Sequence, residues 1–246
     1  MRSVRRALDI LGLLTEDQPT ISLKEMVDVT GLPKTTVVRL VHTLEQCGLL
    51  WATGSGYTAG PGLWRWAHLA QGGWELPVEA RKLMRSLAEV QGETANLYML
   101  RGIRRVCVAQ QESPHPLRHV VQVGDELPLW AGASSKILLH DAPEDVLRRV
   151  AEDSPRPAGH VERLHQEIAD AAADGFAVSR GEREEGLTAV AVPVVGRSGA
   201  VVAALTLSGP SHRFPYDAVQ RHVQALRESA QRMSDQGFDH PLIRKA

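Results

Sequence analysis

The sequence predicts an α+β protein in two parts: a small helical unit closed by a hairpin, and a larger unit built on an antiparallel sheet. Three observations carry this prediction. Residues 4–59 hold three helical hydrophobic stripes followed by two short β-type runs. From Gly92 onward, β-type runs separated by tight turns alternate with amphipathic helices. No apolar run approaches the ~20 residues of a membrane-spanning helix. At 246 residues and 43% hydrophobic content the chain can build two cores.

In the first unit, residues 1–60, Val4, Leu8, Leu11 and Leu14 recur at helical spacing, and Ala7 and Ile10 widen the stripe of a helix over 4–14. Ser22 followed by Glu25 forms a capping box for a second helix, about 23–29, which buries Leu23, Met26 and Val27 and stops at Thr30-Gly31. Pro33 suits the first turn of a third helix, which runs to about Gln46 with Val37, Leu40, Val41 and Leu44 inward. Residues 49–52 and 57–59 flank Thr53-Gly54-Ser55-Gly56 as a hairpin.

Three helices, a short glycine-containing turn before the third, and a hairpin make the winged helix-turn-helix plan. A duplex major groove admits one helix, so the polar face of the third helix is a candidate DNA reader. That face carries Lys34, Thr35, Thr36, Val38, Arg39 and His42; Arg5 on the first helix and Ser55 and Tyr57 of the hairpin complete the candidate DNA-binding set. The plainer alternative is a solvated helix face on an interaction module. Charge does not decide, because the formal net charge is −1 and acids balance bases within residues 1–60.

Residues 61–75 predict a short linker helix with a break at Gly72-Gly73. Trp64 and Trp66, two apart, cannot share one helix face, so a partner such as a second copy is expected there. The second unit, 76–246, opens with a helix over 76–90 expected to bury Val78, Leu83, Leu87 and Val90. Strands are expected at 96–100, 105–109, 119–123, 176–179, 188–195 and 200–208, and helices at 134–141, 143–152, 161–174 and 215–235.

Other chemistries lack their residues. Cys47 and Cys107 give neither a disulfide framework nor metal-ligand spacing, and the N-terminus is not a signal peptide, so a cytoplasmic chain is expected. The glycines at 54, 56 and 60 open no βαβ unit. Ser134 has no G-x-S-x-G elbow, and His115 and His119 are interrupted by Pro116 and read as loop polarity. No enzyme, cofactor or metal site is expected. The weaker alternatives are a hydrolase or transferase with an accessory helical domain, and a redox or metal sensor through Cys107 and the histidines.

Over nearly its whole length the sequence resembles the IclR-type transcriptional regulators. The matching pieces include Ser3-Val-Arg-Arg-Ala-Leu-Asp-Ile-Leu, Gly31-Leu-Pro-Lys-Thr-Thr-Val-Val-Arg-Leu, Tyr57-Thr-Ala-Gly-Pro-Gly-Leu, Gly186-Leu-Thr-Ala-Val-Ala-Val-Pro-Val and Leu207-Ser-Gly-Pro. The resemblance implies a GAF-like effector domain, dimers often paired into tetramers on a near-palindromic operator, and control by a metabolite. Three departures matter. Val38 stands where many members have histidine, Ser135-Lys136-Ile-Leu-Leu where they often have Gly-Lys-Ala-Leu-Leu, and Ala189 where they often have cysteine. The variant pattern is similar to the branch tied to amino-acid biosynthesis.

Trp130-Ala-Gly-Ala-Ser-Ser-Lys136 is small and polar where a helix begins, and free N–H groups there suit a carboxylate. The resemblance sets the 179–189 segment opposite. The candidate effector set is therefore Trp130, Gly132, Ala133, Ser134, Ser135, Ser179, Glu182 and Ala189, with Glu182 expected to face an ammonium group. The implied ligand is a small carboxylate, an amino acid first and a keto acid second. Alternatively, the serines merely cap the helix and Glu182 is solvated.

Overall fold

The computed structural model describes residues 2–15, 17–73, 76–155 and 159–238. The chain divides into two compact units, Met1–Glu75 and Leu76–Ala246. The expected end of the linker, at 74–75, lies outside the described residues.

The first unit contains α1 (Arg2–Leu11), β1 (Thr20–Ile21), α2 (Leu23–Thr30), α3 (Lys34–Gln46), β2 (Leu50–Thr53), β3 (Gly56–Ala59) and α4 (Gly62–Gly73). Ile10, Ile21, Met26, Val37, Leu40, Val41, Leu44 and Leu50 form its core. The α1 stripe is rotated from the expected one. Ala7, Ile10 and Leu11 face the core, whereas Val4 and Leu8 are exposed. The capping box of α2 is complete: the Glu25 N–H donates to Ser22 Oγ at 3.2 Å, and the Ser22 N–H donates to Glu25 Oε2 at 2.8 Å. Pro33 sits at the N-cap of α3 rather than inside its first turn.

The hairpin is a three-stranded sheet, order β1-β3-β2, because Thr20 and Ile21 add a strand too short for any periodicity to announce. Besides Leu50 in the shared core, backbone hydrogen bonds tie it to the end of α3. The Gly60 N–H donates to Leu49 O at 2.9 Å and the Gly62 N–H to Gly48 O at 2.8 Å, and a Cβ on Gly60 would lie 2.2 Å from Gly48 O. Residue 60 must therefore be glycine.

The second unit contains α5 (Val78–Gln91), β4 (Thr94–Arg101), β5 (Arg104–Gln111), β6 (Glu126–Pro128), α6 (Ala133–Leu138), α7 (Glu144–Glu152), α8 (His160–Asp174), β7 (Ala177–Arg180), β8 (Leu187–Val195), β9 (Val201–Pro210) and α9 (Tyr216–Asp235). All pairings in its six-stranded sheet, order β6-β5-β4-β9-β8-β7, are antiparallel. Helices α5 and α9 pack on each other and on the sheet, and α6 packs on β7, β8 and β9 with α8 outside it. The two sheet faces differ in kind. Toward α6 point Ala177, Ala189, Ala191 and Ala204, in one cluster with Tyr98, Cys107, Ile137 and Leu164. The alternate positions, Val190, Val192, Val194, Leu205 and Leu207, are large and buried. Small residues under α6 leave room beside it.

Two expectations are corrected. Val78 and Val90 are exposed; the buried stripe of α5 is Ala80, Leu83, Met84, Leu87 and Ala88, which leaves Val78 opposite and Val90 at the edge. Residues 119–123 form no strand. Only Val121 is buried there, and Cys107 exchanges backbone hydrogen bonds with Gly124 and Asp125, so the edge strand begins at Glu126. No helix among the described residues is long and apolar enough to cross a membrane.

Candidate functional site

The first site lies on α3. With its buried stripe fixed inward, Lys34, Thr35, Val38, Arg39 and His42 are exposed and Thr36 half-buried. Thr35, Val38, Arg39 and His42 line one groove of about 340 Å³ with Leu23, Glu45 and Tyr57. Tyr57 thus stands on the same groove as the third helix. Ser55 is exposed at the hairpin tip, its Oγ 3.4 Å from Thr53 Oγ1, and Arg5 is exposed on α1; neither lines the groove. The helix is held by apolar packing; on its polar side His42 Nε2 meets Gln46 Nε2 at 3.0 Å and Thr43 Oγ1 donates to Arg39 O at 2.9 Å.

The second site is a cavity of about 40 Å³ between α6, the sheet and the 181–186 loop. Gly132, Ala133, Ser134, Ser179, Glu182 and Ala189 all line it. Trp130 and Ser135 do not. Trp130 lines a separate surface cleft, and Ser135 is buried with its Oγ donating to Ala131 O at 2.8 Å. Helix α6 is also only Ala133–Leu138, and the N–H of its N-cap residue is taken: Gly132 N donates to Glu182 Oε2 at 2.8 Å.

The second oxygen of Glu182 receives Lys136 Nζ at 2.6 Å, and the same ammonium reaches Val178 O at 3.3 Å and Glu167 at 3.7 Å. Glu182 is therefore engaged by the protein's own cation, not left to receive an ammonium group from a ligand. This corrects the expected role of Glu182.

Sequence reasoning missed the cationic side of the cavity. Tyr98, Arg105, His119, Arg183, Thr206 and Ser208 also line it. Arg105, on β5, is 5% exposed, and its guanidinium lies over the Tyr98 ring, 5.5 Å from the centroid. Its Nη1 donates to Ala131 O at 2.6 Å and to Ser135 Oγ, while its Nε is buried without a partner. Gly132, at φ +105°, makes the space: a Cβ there would lie 2.7 Å from Nη1. Burial pushes Arg105 down to about 10, with nearby Tyr98 opposing and Arg183 reinforcing, so it stays charged at neutral pH.

His119 Nδ1 lies 2.9 Å from Ser208 Oγ, and its Nε2 lies 3.4 Å from Arg183 Nη2. Burial pushes this imidazole below its ordinary value; Glu184 opposes, and Arg183 and Arg105 reinforce. It is cavity lining, not idle loop polarity. A signal for Arg105 does exist in the sequence. Arg104 and Arg105 are adjacent in a strand, so their side chains take opposite faces, and one must enter a sheet covered on both sides. Arg104 reaches Asp153 at 3.1 Å, and Arg105 goes inward. Cys107 is enclosed, and burial pushes its thiol up to about 12, which gives it no reactive thiolate.

Comparison with known proteins covers both sites. Residues 3–51 match the family model for the IclR helix-turn-helix domain, and residues 72–235 match that for the bacterial transcriptional regulator IclR C-terminal region. The transcriptional regulator SauR of Cupriavidus necator is 33% identical over 239 residues, covering 93% of this chain and 94% of its own. A solved structure of an IclR-family protein from Rhodococcus sp. is 43% identical, with TM-score 0.65 over 96% of this chain and 93% of that one. A second, from Alicyclobacillus acidocaldarius, is 28% identical, with TM-score 0.75 over 96% of this chain and 98% of that one.

Proposed function

The chain belongs to the IclR family of DNA-binding bacterial transcriptional regulators, and from that premise we propose that a small carboxylate-bearing metabolite, bound in the cavity beside α6, sets its affinity for a near-palindromic operator. The observation that carries the reading is a polar, partly cationic cavity beside α6 in the same chain as an exposed, charged third helix. In this reading Lys34 and Arg39 contact phosphate or guanine, Thr35, Thr36 and His42 bond phosphate or bases, and Val38 meets a thymine methyl. Arg5, Ser55 and Tyr57 hold the flanking backbone.

One recognition helix reads only a few base pairs, so a dimer or tetramer presents two or more half-sites. Exposed Trp64, Trp66 and Leu69 on α4 supply an apolar surface for that pairing. A regulator of this kind acts in the cytoplasm, where the chromosome is. Keto acids and amino acids are both members of the carboxylate class to screen.

The test is a gel-shift titration at fixed salt on operators found by genome-wide mapping of bound DNA. Arg39→Ala loses about tenfold or more in affinity, the equivalent of about 1–3 kcal/mol for a base-contacting arginine. A ligand from a carboxylate panel shifts the wild-type titration. Wild-type affinity in Arg39→Ala refutes the assignment of this face, and a titration that no carboxylate shifts refutes the effector class.

A further inference from the structure

The cations in and beside the cavity are not paired alike. Lys136 takes Glu182, and Arg183 takes Glu184. Arg105 makes no ion pair among the described residues; both of its hydrogen bonds leave from Nη1 and end on neutral oxygens. A cation this deep, with Nε unpartnered, is costly to keep unless something supplies the missing negative charge. Glu182 and Glu184 favour its charge only from a distance, since each is held by another cation, Lys136 and Arg183. Hydroxyls on Ser134 and Ser179 line the same space, whereas Thr206 Oγ1 donates to Asn96 O at 3.2 Å and Ser208 Oγ meets His119 Nδ1 and Asn96 Nδ2. The space of about 40 Å³ admits only a few heavy atoms, since one water needs about 10–15 Å³.

We infer that Arg105 is the specificity-determining residue of this cavity, and that the ligand it selects is a short monocarboxylate carrying no ammonium group. The carboxylate completes an ion pair with the guanidinium, and an oxo or hydroxy group meets the hydroxyl side. An amino acid brings the same carboxylate together with an ammonium group that would find Arg105, Arg183 and an occupied Glu182. This rests on the effector reading proposed above and narrows it, from carboxylates in general to those without an amine.

The experiment is calorimetry on the full-length protein with four matched three-carbon probes: lactate, propionate, alanine and lactamide. Lactate or propionate binds, while alanine and lactamide bind at least about tenfold more weakly. Arg105→Met removes acid binding, and Arg105→Lys retains part of it. A second readout separates recognition from architecture. The ligand-free melting temperature of Arg105→Met equals or exceeds that of the wild type, because an unpaired buried charge has been replaced by an apolar side chain; a structural arginine would lower it. Alanine binding as tightly as lactate, no binding of either acid, or unchanged acid affinity in Arg105→Met overturns the inference. In the last case the acid still binds and still shifts the operator titration, so Arg105 fails while effector control stands.

Discussion

Replacement of Glu182 tests whether this carboxylate is a clamp inside the protein or a partner for ligand. In the structure it joins three pieces: the backbone before α6 through the Gly132 N–H, α6 itself through Lys136, and its own 181–186 loop. The Lys136 side chain is 10% exposed and that of Glu182 26%. Breaking a fully buried pair costs about 3–5 kcal/mol, and a surface pair contributes about 0–1. This pair lies between those limits, and Lys136 retains Glu167 and Val178 O as secondary partners. Glu182→Gln keeps an acceptor for Gly132 and removes the charge, so its expected cost is about 1–2 kcal/mol. Glu182→Ala also strands the Gly132 N–H, adding about 1 kcal/mol. At roughly 2–4 °C per kcal/mol for a unit of this size, Glu182→Ala lowers the melting temperature by about 4–12 °C and Glu182→Gln by about 2–8 °C. Differential scanning calorimetry of the full chain without ligand measures both. Two variants that melt with the wild type, with a selective loss of affinity for amine-bearing ligands, would refute the clamp and restore Glu182 as a ligand group.

Three further outcomes follow from other parts of the molecule. Trp64→Ser with Trp66→Ser shifts sedimentation toward the monomer and weakens binding to the full operator, because α4 loses its exposed aromatic surface; an unchanged mass refutes a role for this helix in pairing. Gly60→Ala forces the backbone apart where the new Cβ meets Gly48 O, costing about 1–3 kcal/mol and speeding amide exchange through β2 and β3, and unaltered exchange would contradict the close approach. A carboxylate in the cavity raises the pKa of His119 above its depressed ligand-free position, against Arg105 from β5 and Arg183 beside it and in the same sense as Glu184. Acid affinity therefore rises as pH falls through the ligand-bound value and levels off below the depressed ligand-free value, and His119→Asn flattens the dependence; a flat wild-type profile would remove His119 from the ligand's surroundings.

Much of the first unit was legible because local rules suffice there. The Ser22–Glu25 capping box, the α3 stripe at Val37, Leu40, Val41 and Leu44, and the hairpin around Gly54 each depend on residues only a few positions apart. Once the inward stripe of α3 is known, its outward face follows from helical geometry, which is why Thr35, Val38, Arg39 and His42 emerge together. β1 was not legible, because a strand of two residues has no period and exists only through its pairing with β3.

The cavity shows the opposite balance. Gly132, Ala133 and Ser134 stood out as small residues at a helix start, but which groups face them is a matter of long-range pairing: β5 brings Arg105, β9 brings Thr206 and Ser208, and the loop after β5 brings His119. Sequence alone cannot tell whether Glu182 is free, because its partner Lys136 lies 46 positions away and reaches it only after α6 docks on the sheet. Periodicity and capping are local, and they determined the two-part α+β architecture and the exposed face of α3. The charge state of the cavity depends on who pairs with whom across the folded sheet, and only the tertiary structure decided that Arg105 has no ion pair among the described residues.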